Sequence, residues 1–143
     1  MIAPVIPPQS SLQELVHGPL VTNRLVRPAD DDLAYGICSV GDGGRILDKV
    51  IFAALDWRPG IRLDLSCLDA GVLLARPVPE GRIAMTEGGY FRVPYRLRRR
   101  VSLLIGQRVL LIGHRSRRVL LIHPPAALDE LCAASLRLLK AGA

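Results

Sequence analysis

From residue 37 onward, short apolar runs separated by polar turns form two matching series. In the first, β-branched and Leu-rich stretches predict strands over 37–40, 45–47, 61–66 and 72–76, with an apolar helix at about 49–55. In the second, strands are expected over 82–85, 90–93, 108–112 and 119–123. A helix over 94–101 opens on Pro94, whose fixed φ suits a first helical turn. Gly36, Gly43 and Gly44 match Gly81, Gly88 and Gly89 at an offset of 45. Gly60-Ile61-Arg62-Leu63 then matches Gly106-Gln107-Arg108-Val109 at 46, and residues 72–77 match 119–124 at 47. The two insertions fall between apolar runs, where loops absorb changes of length. A repeat of this length sets the architecture: an N-terminal extension 1–33, a first repeat 34–80, a second repeat 81–125 and a C-terminal helix 126–143.

The flanks have their own signals. Pro4, Pro7 and Pro8 make an extended leader, and Ser11-Leu12-Gln13-Glu14 has capping-box spacing for a short helix to about Val16. Gly18-Pro19 ends that helix, and Asp30-Asp31-Asp32 reads as a solvated hinge. At the other end Pro124-Pro125 breaks the last strand. The following stretch predicts a helix over 126–140, with Leu128, Leu131, Leu138 and Leu139 at helical spacing.

Half of the 143 residues are hydrophobic, enough to bury one core in a single domain with extensions. Charge is divided unevenly: residues 1–80 carry 7 basic and 10 acidic side chains, residues 81–143 carry 12 and 3. With a net charge of +6 and a pI near 9.9, the chain points to a polyanion, nucleic acid before an anionic membrane. Seventeen of the basic residues are Arg and two are Lys. Arginine suits bidentate phosphate and guanine contacts, but a GC-rich genome produces the same bias, so the excess alone leaves both readings open. No apolar run approaches the roughly 18–20 residues that span a bilayer, and the N-terminus lacks the pattern of a signal peptide. The expectation is a cytoplasmic, nucleoid-associated protein.

Cys38, Cys67 and Cys132 read as buried hydrophobes, because no CxxC or Cys/His spacing supports a metal. His17, His114 and His123 stand apart in sequence from Ser, Cys or carboxylate partners, and no phosphate loop or paired-carboxylate pattern is present. The chain is expected to be no enzyme and to hold neither metal nor cofactor.

The stretch Gly89-Tyr90-Phe91-Arg92-Val93-Pro94-Tyr95-Arg96-Leu97-Arg98-Arg99, then Gly106-Gln107-Arg108-Val109 and the strand at 119–123, resembles the AbrB/MazE/SpoVT swapped-hairpin family. That family's pattern is a Gly-Arg turn, a short strand ending in Ile-Pro, a helix with Leu-Arg-Arg, a Gly-Asp turn and a final hairpin. The first copy resembles it through Gly44-Arg45-Ile46-Leu47 and Leu55-Asp56-Trp57-Arg58-Pro59-Gly60-Ile61-Arg62; together the copies cover about 90 of 143 residues. The resemblance implies a mainly β fold, a swapped-hairpin AbrB-like β-barrel built from two tandem repeats, with short helices and helical N- and C-terminal extensions. It further implies a homodimer that binds double-stranded DNA as a bacterial transcriptional regulator. The copies depart from the pattern unequally. The Gly-Arg arginine is Arg45 in the first copy and Tyr90 in the second. The helix arginines are Arg98 and Arg99 in the second copy, where the first has Phe52 and Ala53.

On the second helix, spacing puts Leu97, Val101 and Leu104 toward the core. Arg96, Arg99 and Arg100 share the outward stripe, with Arg98 on its flank and Arg92 just upstream. With Arg45, these are the candidate DNA contacts; Arg115 and Arg117, beside Arg118 on the turn at 113–118, form a second basic cluster. A solvated surface is the alternative for each. The first helix is apolar all round, which a surface helix does not allow. Val50, Phe52 and Ala53, with Leu131 and Leu138, are therefore candidate protein-interface residues, to be covered by the terminal helices, another protomer or a partner protein. Trp57 is expected to anchor the core. The runner-up function is an antitoxin-like or adaptor protein that captures a partner through the first helix or the terminal one.

Overall fold

A computed structural model describes residues 25–140; the helix expected near Ser11 and the leader before it lie outside them. A compact unit begins at Asp31. In chain order it contains β1 (Leu33–Ser39), β2 (Arg45–Ile46), α1 (Lys49–Ala54), β3 (Arg62–Cys67), β4 (Leu73–Pro77), β5 (Ile83–Ala84), β6 (Phe91–Arg92), α2 (Tyr95–Arg100), β7 (Arg108–His114), β8 (Val119–His123), α3 (Pro125–Leu131) and α4 (Ala133–Lys140). The protein is mainly β. Six strands form one antiparallel sheet in the order β1-β7-β8-β4-β3-β5, and β2 pairs with β6 as a separate ribbon. The expected closed barrel is not formed, because β1 and β5 remain as the two edges of the large sheet. Among the described residues no helix is long and apolar enough to cross a membrane.

The first strand of each half lies on the third strand of the other. Cys38 of β1 pairs with Val109 of β7, and Ile83 of β5 pairs with Leu63 of β3. The offsets of 45 and 46 read from the sequence carry the first pair onto the second. Loop hydrogen bonds repeat in the same way. The Val40 amide donates to the Gln107 carbonyl and the Gly106 amide to Val40; the Met85 amide donates to Ile61 and the Gly60 amide to Met85. Both helices end on a residue with positive φ, Asp56 after α1 and Ser102 after α2.

Strand alternation builds the core. Val109 and Leu111 of β7, Leu120 and Ile122 of β8, Leu73 and Ala75 of β4 and Leu63 of β3 are fully buried on the inner face. Ile46 and Phe91 enter from the ribbon. Phe52, Trp57 and Phe91, the three of the chain's six aromatic side chains that are not Tyr, form one cluster: Phe52 stacks on Trp57 at 5.7 Å between centroids and meets Phe91 at 5.8 Å. Trp57 is the anchor its sequence position suggests, and its Nε1–H donates to the Arg118 carbonyl at 3.2 Å.

Phe52 therefore corrects one expectation. It is 3% exposed within this chain, so no partner is needed to cover it; α1 looks apolar all round because one face carries an aromatic into the core. Leu104 corrects another. It is exposed, and Leu103 takes the buried place, because α2 ends at Arg100 and the left-handed residue Ser102 shifts the helical phase. The tail helix is interrupted at Cys132 rather than continuous. The acidic run is no hinge at its end. The Arg115 amide and guanidinium donate to the carbonyls of Asp32 and Asp31, and the Asp32 carboxylate accepts from Ser116, which fastens the start of β1 to the β7–β8 turn.

Candidate nucleic-acid interface

On the β2–β6 ribbon Ile46 and Phe91 point inward, so their neighbours Arg45 and Arg92 point out, directly opposite one another. Their guanidinium groups lie 5.8 and 4.9 Å from the centroid of the Tyr90 ring. The negative face of an aromatic ring attracts each cation, whereas an arginine at position 90 would have added a third positive charge. Tyr90 adds no charge of its own to the site. It holds the two arginines together.

The turn at 41–44 shows how close the approach is. A Cβ on Gly41 would strike the Arg45 side chain, one on Gly43 the Arg92 side chain, and one on Gly44 both Arg98 and the Val93 carbonyl. Gly43 and Gly44 also have φ of 68° and 87°, conformations that favour glycine. Three arginines, one from the first half and two from the second, converge on this turn. Arg92 Nε donates to the Asp42 carbonyl at 3.3 Å, and Arg98 Nε donates to the Val93 carbonyl at 2.9 Å. Arg98 also lies 5.5 Å from the Tyr95 ring centroid. Each of these bonds uses one of a guanidinium's five N–H donors, so both forks keep donors for a ligand.

Beside the turn, α2 presents Arg96, Arg99 and Arg100 to solvent, while Leu97 packs on the core. Arg98, Arg99 and Arg100 occupy its last turn, where the carbonyl end of the helix favours cations and offsets part of their repulsion. Among the described residues the ion pairs are Arg58–Asp56 and His114–Asp32. None of Arg45, Arg92, Arg96, Arg98, Arg99 and Arg100 makes an ion pair with a carboxylate among the described residues.

The second basic cluster has other work. Arg115 Nη1 donates to the carbonyls of Asp31 and Leu33 at 2.6 and 3.3 Å. Arg118 donates to the carbonyls of Leu55 and Asp56 at 3.0 Å each, which satisfies the exposed end of α1. Arg117 is exposed. These residues sit at the Leu33 end of β1. The glycine turn follows its Ser39 end, about 20 Å away for a seven-residue strand. The same turn gathers groups that look unrelated in sequence. Asp32 Oδ2 accepts from Ser116 Oγ at 2.6 Å and lies 3.6 Å from His114 Nε2, while His114 Nδ1 accepts from the Arg117 amide. The serine proton is directed to the aspartate rather than the imidazole, and the hydrogen bonds from Ser116 hold the Asp32 carboxyl below its ordinary pKa. The arrangement is a latch.

At the equivalent place in the other half, the turn at 86–89 carries no arginine. Phe52 stands where α2 has Arg98, and has turned into the core. A Cβ on Gly89 would meet nothing within 4 Å, in contrast to Gly44. The space left is a cleft of about 410 Å³ lined by Phe52, Ala53, Trp57, Pro59 and Met85, with Lys49, Asp56 and Arg58 at its rim. Val50 is 76% exposed and Ala53 is exposed beside it. Leu131 and Leu138 are exposed on the terminal helices. Comparison with protein-family models, curated proteins and solved structures finds no match for the chain.

Sequence reasoning did not find the latch, the ring between Arg45 and Arg92, or the burial of His123. His123 is 6% exposed; its Nδ1 has no hydrogen-bond partner among the described residues, and burial lowers its pKa. Its place as the last residue of a strand, followed by Pro124-Pro125, was the available signal; that α3 packs against β7 and β8 is a tertiary fact.

Proposed function

We propose that the protein is a sequence-preferring double-stranded DNA-binding regulator of the AbrB type, in which two tandem hairpin units interleave within one chain. The exchange of first strands between the halves supports the interleaving. The observation that carries the function is the convergence of Arg45, Arg92 and Arg98 on the glycine turn, beside Arg96, Arg99 and Arg100, none of them in an ion pair among the described residues. Six guanidinium groups against the single acidic residue of the turn, Asp42, repel one another, and a phosphate backbone relieves that repulsion. A two-stranded ribbon and a short helix are both narrow enough for a major groove. Arg96, Arg99 and Arg100 take phosphates and set register; Arg45 and Arg92, braced on Tyr90, are placed for base edges. Arg115, Arg117 and Arg118 stand apart from this contact set because they lie at the Leu33 end of β1, about 20 Å from the glycine turn for a seven-residue strand.

Each chain offers one basic half-site, so a homodimer supplies the second and sets the spacing between them. Action on the nucleoid follows from the same reading. The test is binding to pooled genomic fragments across a salt series, comparing the wild type with Arg96→Ala/Arg99→Ala. Enrichment of particular fragments, with a salt slope that falls by about 1.8 in the variant, supports the regulator; a folded protein that binds no DNA at low salt defeats it. An antitoxin-like or adaptor role is the second reading. It is favoured by Leu131, Leu136, Leu138 and Leu139, which stand 51–66% exposed on α3 and α4.

A further inference from the structure

We infer that the cleft between α1 and the turn at 85–89 is a binding site for a small apolar carboxylate, with its ring or chain over Phe52, Trp57 and Met85 and its carboxylate on Lys49. This inference goes beyond DNA binding and does not depend on it.

The first argument is the comparison between halves. At the other end of the molecule the equivalent space is filled: Arg98 lies over Gly44 and bonds to Val93. Here the corresponding side chain, Phe52, is turned into the core, Gly89 faces open space, and nothing among the described residues fills the place. The second argument is size. About 410 Å³ falls in the range of small-molecule sites, roughly 300–1,000 Å³. The walls are the exposed Ala53 and Pro59 and a floor made by the edges of Phe52, Trp57 and Met85, each only 2–4% exposed, which together give an apolar body no polar partner.

Charge at the rim selects the head group. Asp56 and Arg58 bind each other at 3.0 Å and cancel. Lys49 is exposed and makes no ion pair among the described residues, so the rim carries one uncompensated positive charge. A carboxylate matches it and an amine is repelled. The strong, bidentate grip that phosphate recognition uses is absent, which favours a monoanion with a hydrophobic body over a nucleotide.

Trp57 is the single tryptophan of the chain and lines the cleft, so its fluorescence reports occupancy without a label. The full-length protein is titrated with 3-phenylpropionate and with octanoate, and in parallel with 3-phenylpropylamine and 3-phenylpropanol. A saturable change with one or both carboxylates is expected, with the amine and alcohol at least about threefold weaker. Lys49→Met is expected to raise the carboxylate Kd roughly threefold to tenfold while leaving the alcohol unchanged. Ala53→Phe, which places a ring in the cleft from an exposed position, is expected to abolish the response while circular dichroism stays native. The inference is overturned if neither carboxylate saturates, if the four probes bind alike, or if natively folded Ala53→Phe responds like the wild type. None of these readouts involves DNA, so the failure of the DNA reading and the failure of this one are separable.

Discussion

The turns at 41–44 and 86–89 occupy equivalent places in the two halves and are closed by the same hydrogen bond, yet one is a dense cationic surface and the other borders an apolar cleft. The amide of Gly44 donates to Gly41 and that of Gly89 to Thr86; φ is 87° at Gly44 and 81° at Gly89. What separates them is a few side chains: Arg98 against Phe52, Arg99 against Ala53, Arg96 against Val50. The fold accommodates both because the strand registers and loop bonds that hold it are backbone features, indifferent to which side chains face outward.

The largest contrast is expected between Phe52→Ala and Arg98→Ala. Phe52 is enclosed by Trp57 and Phe91, and its truncation should cost about 3–5 kcal/mol. Arg98 sits half-exposed with one bond to the Val93 carbonyl, and its loss should cost no more than about 1.5 kcal/mol. Urea denaturation of both variants measures this. Equal losses would mean that the two halves are not divided into core-directed and surface-directed positions.

The glycines give the next contrast. Gly44→Ala drives a Cβ into the Val93 carbonyl as well as straining a positive φ, for a cost of about 3 kcal/mol or more. Gly89→Ala meets only the strain, about 1 kcal/mol. Matching denaturation midpoints would show that Arg98 does not pack on the turn at 41–44.

A conversion experiment sharpens the electrostatic side. Val50 and Ala53 correspond to Arg96 and Arg99, so Val50→Arg/Ala53→Arg should give the first half a basic stripe at positions already exposed. The expected result is tighter DNA binding with a salt slope steeper by as much as about 1.8, read by fluorescence anisotropy across a salt series. An unchanged slope would place the first half away from the DNA.

The smallest effect concerns His123, whose counterpart Arg76 is exposed. Burial depresses the folded-state pKa of His123 below its unfolded value of roughly 6.5. The unfolded chain therefore takes up the proton first, and stability falls as pH drops below about 6.5 until the folded-state pKa is passed. His123→Gln should flatten the decline in melting temperature between pH 7 and pH 5. The Asp32 latch has the opposite origin, a lowered carboxyl pKa; its contribution is present above the unfolded value and is lost only as pH falls through the folded one.

Much of the fold was legible in the chain because it is local and periodic. The strand at 119–123 and the helix near 49–55 are read directly from spacing and are found in place. The exposed stripe of Arg96, Arg99 and Arg100 was equally legible, since helical spacing puts Leu97 on the other side. The misses have a common cause. An all-apolar helix aligned with the arginine helix places Phe52 at a covered interface, but composition and alignment do not report which side chain turns into the chain's own core. Leu104 was assigned to the core by extending a helix that a positive φ at Ser102 had ended. Arg115 and Arg118 looked like free cations because their acceptors are backbone carbonyls more than 60 residues away, and carbonyls leave no mark in a sequence.

The sequence by itself determined most of the strand and helix positions, the separation of charge between the halves and the outward arginines of α2, all of which depend on residues within a few turns of one another. Tertiary structure alone decided that each first strand lies on the other half's third strand, that Arg45, Arg92 and Arg98 meet over one glycine turn, and that the matching turn opens onto a cleft. Those outcomes depend on which distant segments share space, and contacts between distant segments are fixed by packing the whole core at once rather than by any local spacing.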